Sequence, residues 1–433
     1  MLDLFGKKLS KVRKKIKSVV KRLRKTLRIN KNLKKKSENL IKTIEDTVAR
    51  TGWSEEKAET HIKLARKKVG ISYSDYRKYK FFANSEEQME EAYAAISAKK
   101  ENRNRREIKK FEKAIEEIIA ITGWDREYAM SQFQAAVERT HCTPKEYVLY
   151  RFYELTPEEQ DQVFVANFSR KITAKYSDDK EFIDLLYNKE KTNEFFDELM
   201  GRPWCVNTKI SEDDFTTLFS GSERVIYKPL AGNRGKGIKS FWLNSSNINQ
   251  VYRRLAKYPE GVVEAYVVQH PEMGKLSPYS VNTIRVVTVS HKTAPVIAGT
   301  DIMADIAYTS VRIGGGKSVV DNFHSGGMCA CIDLRTGEIV TDAVDAKGKV
   351  YHEHPVTETT FKGFRIPYYH ETLDVIMKTI KEKNLEGYLG WDMAITENGP
   401  VLIELNDVPA VALLSAPWVP EKKGQKHIMA KYL

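Results

Sequence analysis

Displacing this chain by 71 residues lays one stretch on another without a gap, and this constrains the first half of the fold more than any other feature. Thr51-Gly52-Trp53 falls on Thr122-Gly123-Trp124, Ala58 on Ala129, Ile62 on Phe133 and Ala65 on Ala136. Tyr76 and Tyr79 fall on Tyr147 and Tyr150, Phe81 on Phe152 and Phe82 on Tyr153. Helix-start signals repeat as well: Ser72 with Asp75 matches Thr143-Pro144 with Glu146, and Ser85 with Gln88 matches Thr156-Pro157 with Glu159. A hydroxyl with an acid or amide three residues on, and proline at the first helical position, open helices. Each copy, residues 44–93 and 115–164, therefore reads as several short helices. Two copies are too few for a long solenoid. Residues 37–175 are expected to form a compact all-helical domain, its matched aromatics forming core and Trp53 and Trp124 buried in matching settings.

Before the repeat, residues 1–36 hold 16 Lys/Arg and one acid, Asp3, leaving the other 397 residues of this +13 chain at −2. Phe5, Leu9, Val12, Ile16, Val19, Leu23 and Leu27 recur every three or four positions, so the arm reads as one basic amphipathic helix. A near-neutral body with one basic arm makes nucleic acid an improbable partner. The arm suits an anionic membrane surface or another polyanion, or a helix–helix contact. The sequence holds no run of the ~20 apolar residues that cross a bilayer, nor an apolar signal-peptide core. Cys142, Cys205, Cys329 and Cys331 lack metal or disulfide spacing and read as reduced thiols. The expected location is cytoplasmic, peripheral to the inner membrane face if the arm docks there.

From about residue 222 the texture changes to short β-branched and aromatic runs between glycine-rich loops. Strands are expected at Arg224–Lys228, Val262–Val268, Val281–Ser290, Pro295–Met303, Met328–Leu334, Leu389–Ile395 and Val401–Asn406, with helices near 245–257 and 368–384. Many strands with few intervening helices indicate an α+β domain.

Two places there carry chemistry. Lys228 ends a strand, and the loop after it holds Gly232, Arg234, Gly235, Lys236 and Gly237. Glycines let backbone N–H groups approach an anion and lysines add positive charge, although a surface hairpin looks similar. Neither the P-loop spacing nor its following helix is present. Farther on stand Gly390-Trp391-Asp392 and Glu404-Leu405-Asn406. Glu404 and Asn406 are two apart on a strand and face one way. With Asp392 they make a hard-oxygen set suited to Mg²⁺. The neighbouring Val401-Leu402-Ile403 is apolar, where bare acids would be costly.

In combination these features resemble the ATP-grasp superfamily, and more narrowly the bacterial ATP-grasp proteins associated with sugar transfer and polysaccharide gene clusters. The resemblance covers about residues 180–420. It runs through Asn188-Lys189, Ile226-Tyr-Lys228-Pro229, Gly232–Gly237, Val263-Glu264-Ala-Tyr266 and Ser280-Val-Asn282-Thr-Ile-Arg285. It continues through Arg312-Ile-Gly314, Val320-Asp321-Asn322-Phe-His324-Ser-Gly326-Gly327, His354-Pro355, Gly390-Trp-Asp392 and Glu404-Leu-Asn406. It implies a C-terminal ATP-grasp fold over 180–433, with ATP and Mg²⁺ as cofactors. It also implies roles: Lys189 and Lys228 on the ATP phosphates, with Gly232, Gly235, Lys236 and Gly237 folding over them. Glu264 and Tyr266 would hold the adenine end, Glu272 the ribose, and Asp392, Glu404 and Asn406 the metal. Arg285 and Arg312 would steady the γ-phosphate or an acyl phosphate.

Two departures stand out. Many ATP-grasp ligases carry an arginine two residues before the metal-binding aspartate, where this chain has Gly390; Arg285 is the candidate to replace it. The small α/β domain that usually precedes the fold is here a helical repeat, so acceptor preference does not carry over. His324 is the best acid/base candidate and could equally be structural; His352 and His354 read as structural. The expected reaction joins a carboxylate, from a small molecule or glycan such as a sugar acid, or a peptide, to an amine through an acyl phosphate. Two rivals are an ATP-grasp phosphotransferase with a hydroxyl acceptor, and a non-catalytic nucleotide-binding scaffold. For Asp392 and Glu404 to share a cation they must stand opposite each other. That favours a three-residue loop, Glu397-Asn398-Gly399, with Gly399 at positive φ.

Overall fold

The computed structural model describes residues 31–177, 179–230, 237–292, 302–316, 323 and 326–433. Residues 1–30 lie outside it, so the amphipathic reading of the basic arm does too; Lys31 opens the first described helix, Lys31–Thr51.

Contacts divide the chain into two compact units, Met1–Lys110 and Phe111–Leu433. The division falls between the two repeat copies. Within its own unit each stretch has two helices and a 3-10 turn at matching positions, although helix Pro157–Asp161 has only a turn at the corresponding 86–88. Helix Glu55–Val69 corresponds to Arg126–Thr140, Tyr73–Lys78 to Pro144–Leu149, and the 3-10 turn Phe81–Ala83 to Phe152–Glu154. Ser72 caps its helix by accepting from Asp75 N–H, and Thr143 and Thr156 form full capping boxes with Glu146 and Glu159. Even the left-handed residues match: Lys80 at φ 49° and Arg151 at φ 50°. Tyr76, Phe81, Tyr147 and Phe152 are core residues. The two tryptophans are not: both are half-buried. Trp53 lies 5.2 Å from the His61 ring with the Lys57 ammonium over it, and Trp124 lies edge-on to Tyr128. Each helix start leaves its indole on the rim, where one face packs and the polar edge stays wet.

The copies differ at one short run. Val148, Leu149 and Tyr150 are buried in a cluster with Cys329, Val344, Leu413, Ala416 and Val419 of the C-terminal half. The corresponding run in the first copy is Arg77-Lys78-Tyr79, and Arg77 donates to Asn39 C=O and Thr43 Oγ1 on helix Lys31–Thr51. Through this apolar run the second copy packs into the C-terminal unit.

The rest of that unit is α+β, with every described strand pairing antiparallel. A four-stranded sheet has the order β1-β4-β2-β3, formed by β1 (Trp204–Val206), β2 (Arg224–Pro229), β3 (Lys239–Trp242) and β4 (Gly261–Ala265). A seven-stranded sheet has the order β11-β10-β5-β6-β7-β8-β9. Its strands are β5 (Thr283–Lys292), β6 (Ile302–Ile313), β7 (Met328–Ile332), β8 (Ala343–Asp345), β9 (Val350–Tyr351), β10 (Gly387–Thr396) and β11 (Gly399–Asn406). Of the strand expected at 295–303, residues 295–301 lie outside the described residues; the described strand Ile302–Ile313 carries the β-branched and aromatic run through Tyr308, Val311 and Ile313. Helix Tyr369–Glu382 covers one face of the large sheet, packing Ile376 and Ile380 with Ile284, Val286, Trp391 and Met393. The opposite face carries the polar side chains described next. No described helix is long and apolar enough to cross a membrane.

Candidate functional site

The site grows from the β10–β11 hairpin. Its turn is tighter than expected: Thr396 pairs with Gly399, leaving Glu397-Asn398 as a two-residue loop, with Gly399 at φ 107°. A regular ladder from that turn would place Ile403 opposite Asp392. Instead the register shifts by one between Asp392 and Met393, so that Asp392 stands across from Glu404 and Gly390 from Asn406. Ile403 is the extra residue of a β-bulge. Leu402 and Leu405 pack into the core on one face, while Ile403 and Val401 join a cluster on the other. The bulge thus turns Glu404 and Asn406 toward Asp392 without moving the apolar residues out of the core. The opposition of the two carboxylates holds, but through a bulge and not a three-residue loop.

One cross-strand row continues from Glu404 through Asp392 to Arg285 and Ser310. Arg285 donates to Asp392 with both edges of its fork, Nε to Oδ1 at 2.6 Å and Nη2 to Oδ2 at 2.9 Å. Arg312, from β6, adds Nη1 to Oδ2 at 2.6 Å. Asp392 is 1% exposed. Burial opposes its charge, yet the two guanidiniums hold its carboxyl below the usual range. A Cβ on Gly390 would meet Arg285 Nη1 at 3.2 Å, Arg285 Cδ at 3.3 Å and Pro409 at 3.2 Å. The space beside Asp392 is therefore filled by an arginine from the adjacent strand, and glycine at 390 leaves room for it.

The small sheet supplies the facing side. Glu264 lies opposite Ile226, two residues from Lys228, so Lys228 and Glu264 share a face. Lys228 Nζ donates to Glu264 Oε2 at 2.8 Å, and Asn193 Nδ2 to Oε1 at 3.2 Å. Arg202, which no sequence pattern singled out, donates Nε and Nη2 to the same Oε2 at 3.0 and 2.5 Å. Burial works against the Glu264 charge, but Lys228 and Arg202 outweigh it and bring the carboxyl down to about 2. Lys189 opens helix Lys189–Phe195, capped by Asn188. Burial lowers its ammonium pKa, and Glu404 and Glu264 oppose that. Glu404 is open to solvent by area but crowded by protein. That desolvation first, and the Asp392 charge second, push its carboxyl above the usual range.

Other candidates divide. Gly232, Gly235, Lys236 and His324 lie outside the described residues. Gly237 is exposed, at φ 78°. Tyr266 lies with its ring 4.2 Å from the Arg224 guanidinium, at the far end of β2 from Lys228. The structure does not bring Glu272 into this group: it is exposed on helix Pro271–Leu276 and pairs with Lys275. Charged side chains flanking a short surface helix pair locally, and spacing alone does not reveal that. His354 is fully buried. Its Nε2 bonds Gly314 C=O at 2.8 Å and its Nδ1 accepts from Val356 and Thr357 N–H, bracing the backbone just after Arg312.

Among the described residues no group of three or more His, Cys, Asp or Glu is placed to hold a metal. The oxygen set is two carboxylates, Asp392 and Glu404, with Asn406 beside them donating its Nδ2 to Asp392 Oδ2 at 3.5 Å. Two opposed carboxylates, one with a raised pKa, suit a divalent cation that keeps several waters.

Residues 167–419 match the model of a family described as sugar-transfer associated ATP-grasp. Among solved structures the chain is similar to an ADP complex of purK, N5-carboxyaminoimidazole ribonucleotide synthetase, at 13% identity and TM-score 0.32, over 53% of this chain and 46% of that one. The Staphylococcus aureus N5-carboxyaminoimidazole synthetase with ADP gives 14%, 0.34, 58% and 52%. D-alanine–D-alanine ligase from Bacillus anthracis gives 12%, 0.31, 57% and 67%. The chain thus spans about half the length of the two synthetases. No curated protein sequence matches it.

Proposed function

Since the chain belongs to the sugar-transfer-associated ATP-grasp family, we propose that it is an ATP- and Mg²⁺-dependent ligase that joins a carboxylate to an amine through an acyl phosphate. The observation that carries this reading is the Arg285 and Arg312 clamp on Asp392, which stands across from Glu404, together with Lys228 held by Glu264 on the small sheet. Among the described residues the cations Lys189, Lys228, Arg202, Arg285 and Arg312 accompany the carboxylates Asp392, Glu404 and Glu264, a positive surplus that suits an anionic nucleotide.

Lys228 and Lys189 would bind the phosphates. Glu404 and the Asn406 side-chain oxygen, with Asp392 Oδ1, which accepts one hydrogen bond, would hold the metal. Magnesium, when bound, neutralises phosphate charge so that a carboxylate can approach the γ-phosphorus. Arg285 and Arg312, fixed before substrate arrives, would stabilise charge developing on the transferred group. A carboxylate attacking that phosphorus gives an acyl phosphate and ADP; an amine then displaces phosphate and forms the amide. Uronic acids and amino acids are the first acceptors to test, in polysaccharide or cell-surface synthesis.

The test is an ADP-release screen over uronic acids paired with amines and amino acids, with phosphate assayed in parallel and products weighed by mass spectrometry. Equal ADP and phosphate with an amide product is expected. ADP without phosphate would replace the ligase with a kinase. No turnover, together with nucleotide binding, would replace both with a scaffold.

A further inference from the structure

We propose that Arg202 is a positioning residue that stitches the small sheet to β11 and, through Glu264, fixes where Lys228 presents its ammonium. This rests on the ATP reading above. Arg202 stands between Gly201 and Pro203, just ahead of β1, and its side chain is 6% exposed. One edge of its fork engages Glu264 on β4. The remaining nitrogen, Nη1, donates to Leu402 C=O on β11 at 2.7 Å and to Met200 C=O at 2.8 Å. Leu402 is two residues before Glu404, beside the bulge. Lys228 therefore connects to the metal strand by a continuous path: ammonium, Glu264 carboxylate, Arg202 guanidinium, Leu402 carbonyl.

A planar guanidinium can satisfy a carboxylate on one edge and a carbonyl on the other, whereas an ammonium cannot hold both directions rigidly. Buried ion pairs add little to stability over an apolar replacement, so fixing geometry is the better account of this one. The groups facing Glu264 are Lys228 from β2, Arg202 from the segment before β1, and Asn193 and Lys189 from helix Lys189–Phe195. With Arg202 gone, Glu264 keeps its burial and loses a counterion. Its carboxyl would then take up a proton in mildly acid solution, and Lys228 would lose its anchor.

The experiment measures Mg-ATP binding calorimetrically on the full chain between pH 5.5 and 8.5, for wild type, Arg202→Met, Arg202→Lys, Glu264→Gln and the double variant Arg202→Met/Glu264→Gln. Arg202→Met should weaken binding about tenfold at pH 8, and further as pH falls. The double variant should bind no worse than Glu264→Gln and lose the added pH dependence, because Arg202 acts through Glu264. Arg202→Lys keeps the counterion but breaks the link to Leu402, so it should weaken binding without new pH dependence; it also serves if the Met variant fails to fold. Wild-type affinity in Arg202→Lys, or additive losses in the double variant, would overturn the proposal and leave the ATP reading intact. Wild-type protein that does not bind Mg-ATP would overturn both.

Discussion

At the scale of single residues, two carboxylates face each other with opposite perturbations, and their replacements should behave oppositely. The Asp392 pKa is lowered, because the arginine pair outweighs burial. Its contribution to stability is therefore fully present above the unfolded carboxylate pKa and is lost as pH falls through the lower folded value. Asp392→Asn should cost about 3–5 kcal/mol at neutral pH by leaving two guanidiniums without their counterion. In urea melts the deficit should shrink as the solution is made strongly acid; a constant deficit would contradict the assignment. The Glu404 pKa is raised by desolvation and then by Asp392. Its ionised form costs stability above the folded pKa, and the cost disappears below the unfolded one. Glu404→Gln should therefore raise the melting temperature in magnesium-free neutral buffer, with the gain vanishing in acid. The same change should cut ATP turnover by about 100-fold or more. Differential scanning fluorimetry beside an ADP-release assay checks both signs. A variant both less stable and fully active would refute the role given to Glu404.

At the scale of elements, the hairpin was readable and its turn was not. The need for Asp392 to oppose Glu404 follows from two short motifs on adjacent strands, and Gly399 at φ 107° follows from the loop. Two solutions meet that need: an extra residue in the turn, or an extra residue within β11. Side-chain alternation looks the same for both until the core contacts of Leu402 and Leu405 are known. Arg202 and the double clamp on Asp392 were invisible for a related reason. One arginine between glycine and proline has no period, and its partners lie 62 and 200 residues away. Deleting Ile403 should straighten β11 while keeping Asp392 across from Glu404, so ATP turnover should persist within about tenfold. Inserting one alanine after Ile403 should turn Glu404 into the core face and abolish turnover. Gly399→Val, forced into a left-handed backbone, should cost about 1–3 kcal/mol and slow turnover without touching a ligand. Circular dichroism melts with the ADP assay separate these outcomes, and an active insertion variant would disprove the bulge argument.

At the scale of the whole molecule, the second repeat copy groups with the C-terminal ATP-grasp half. A fragment of residues 111–433 should therefore fold and bind Mg-ATP. A fragment of 166–433 should not, because it uncovers Cys329, Val344, Leu413, Ala416 and Val419. Urea denaturation and calorimetry distinguish them, and a stable 166–433 fragment would show the packing to be incidental. Deleting residues 1–36 should abolish salt-sensitive binding to vesicles containing anionic lipid, at about 1 kcal/mol per basic residue near the surface, while sparing ATP turnover. Salt-insensitive binding, or loss of catalysis, would reject the membrane role of the arm.

The matched copies also act as an internal control. Where both place the same residue type, as at Tyr76 and Tyr147 or Phe81 and Phe152, the helical unit itself requires it. Where they part, at Arg77-Lys78 against Val148-Leu149, the difference isolates what attachment to the C-terminal half requires. Subtracting one copy from the other yields a short adhesive cassette. Moving Val-Leu into the first copy would ask whether adhesion is written in those two side chains alone, with the untouched second copy as the standard.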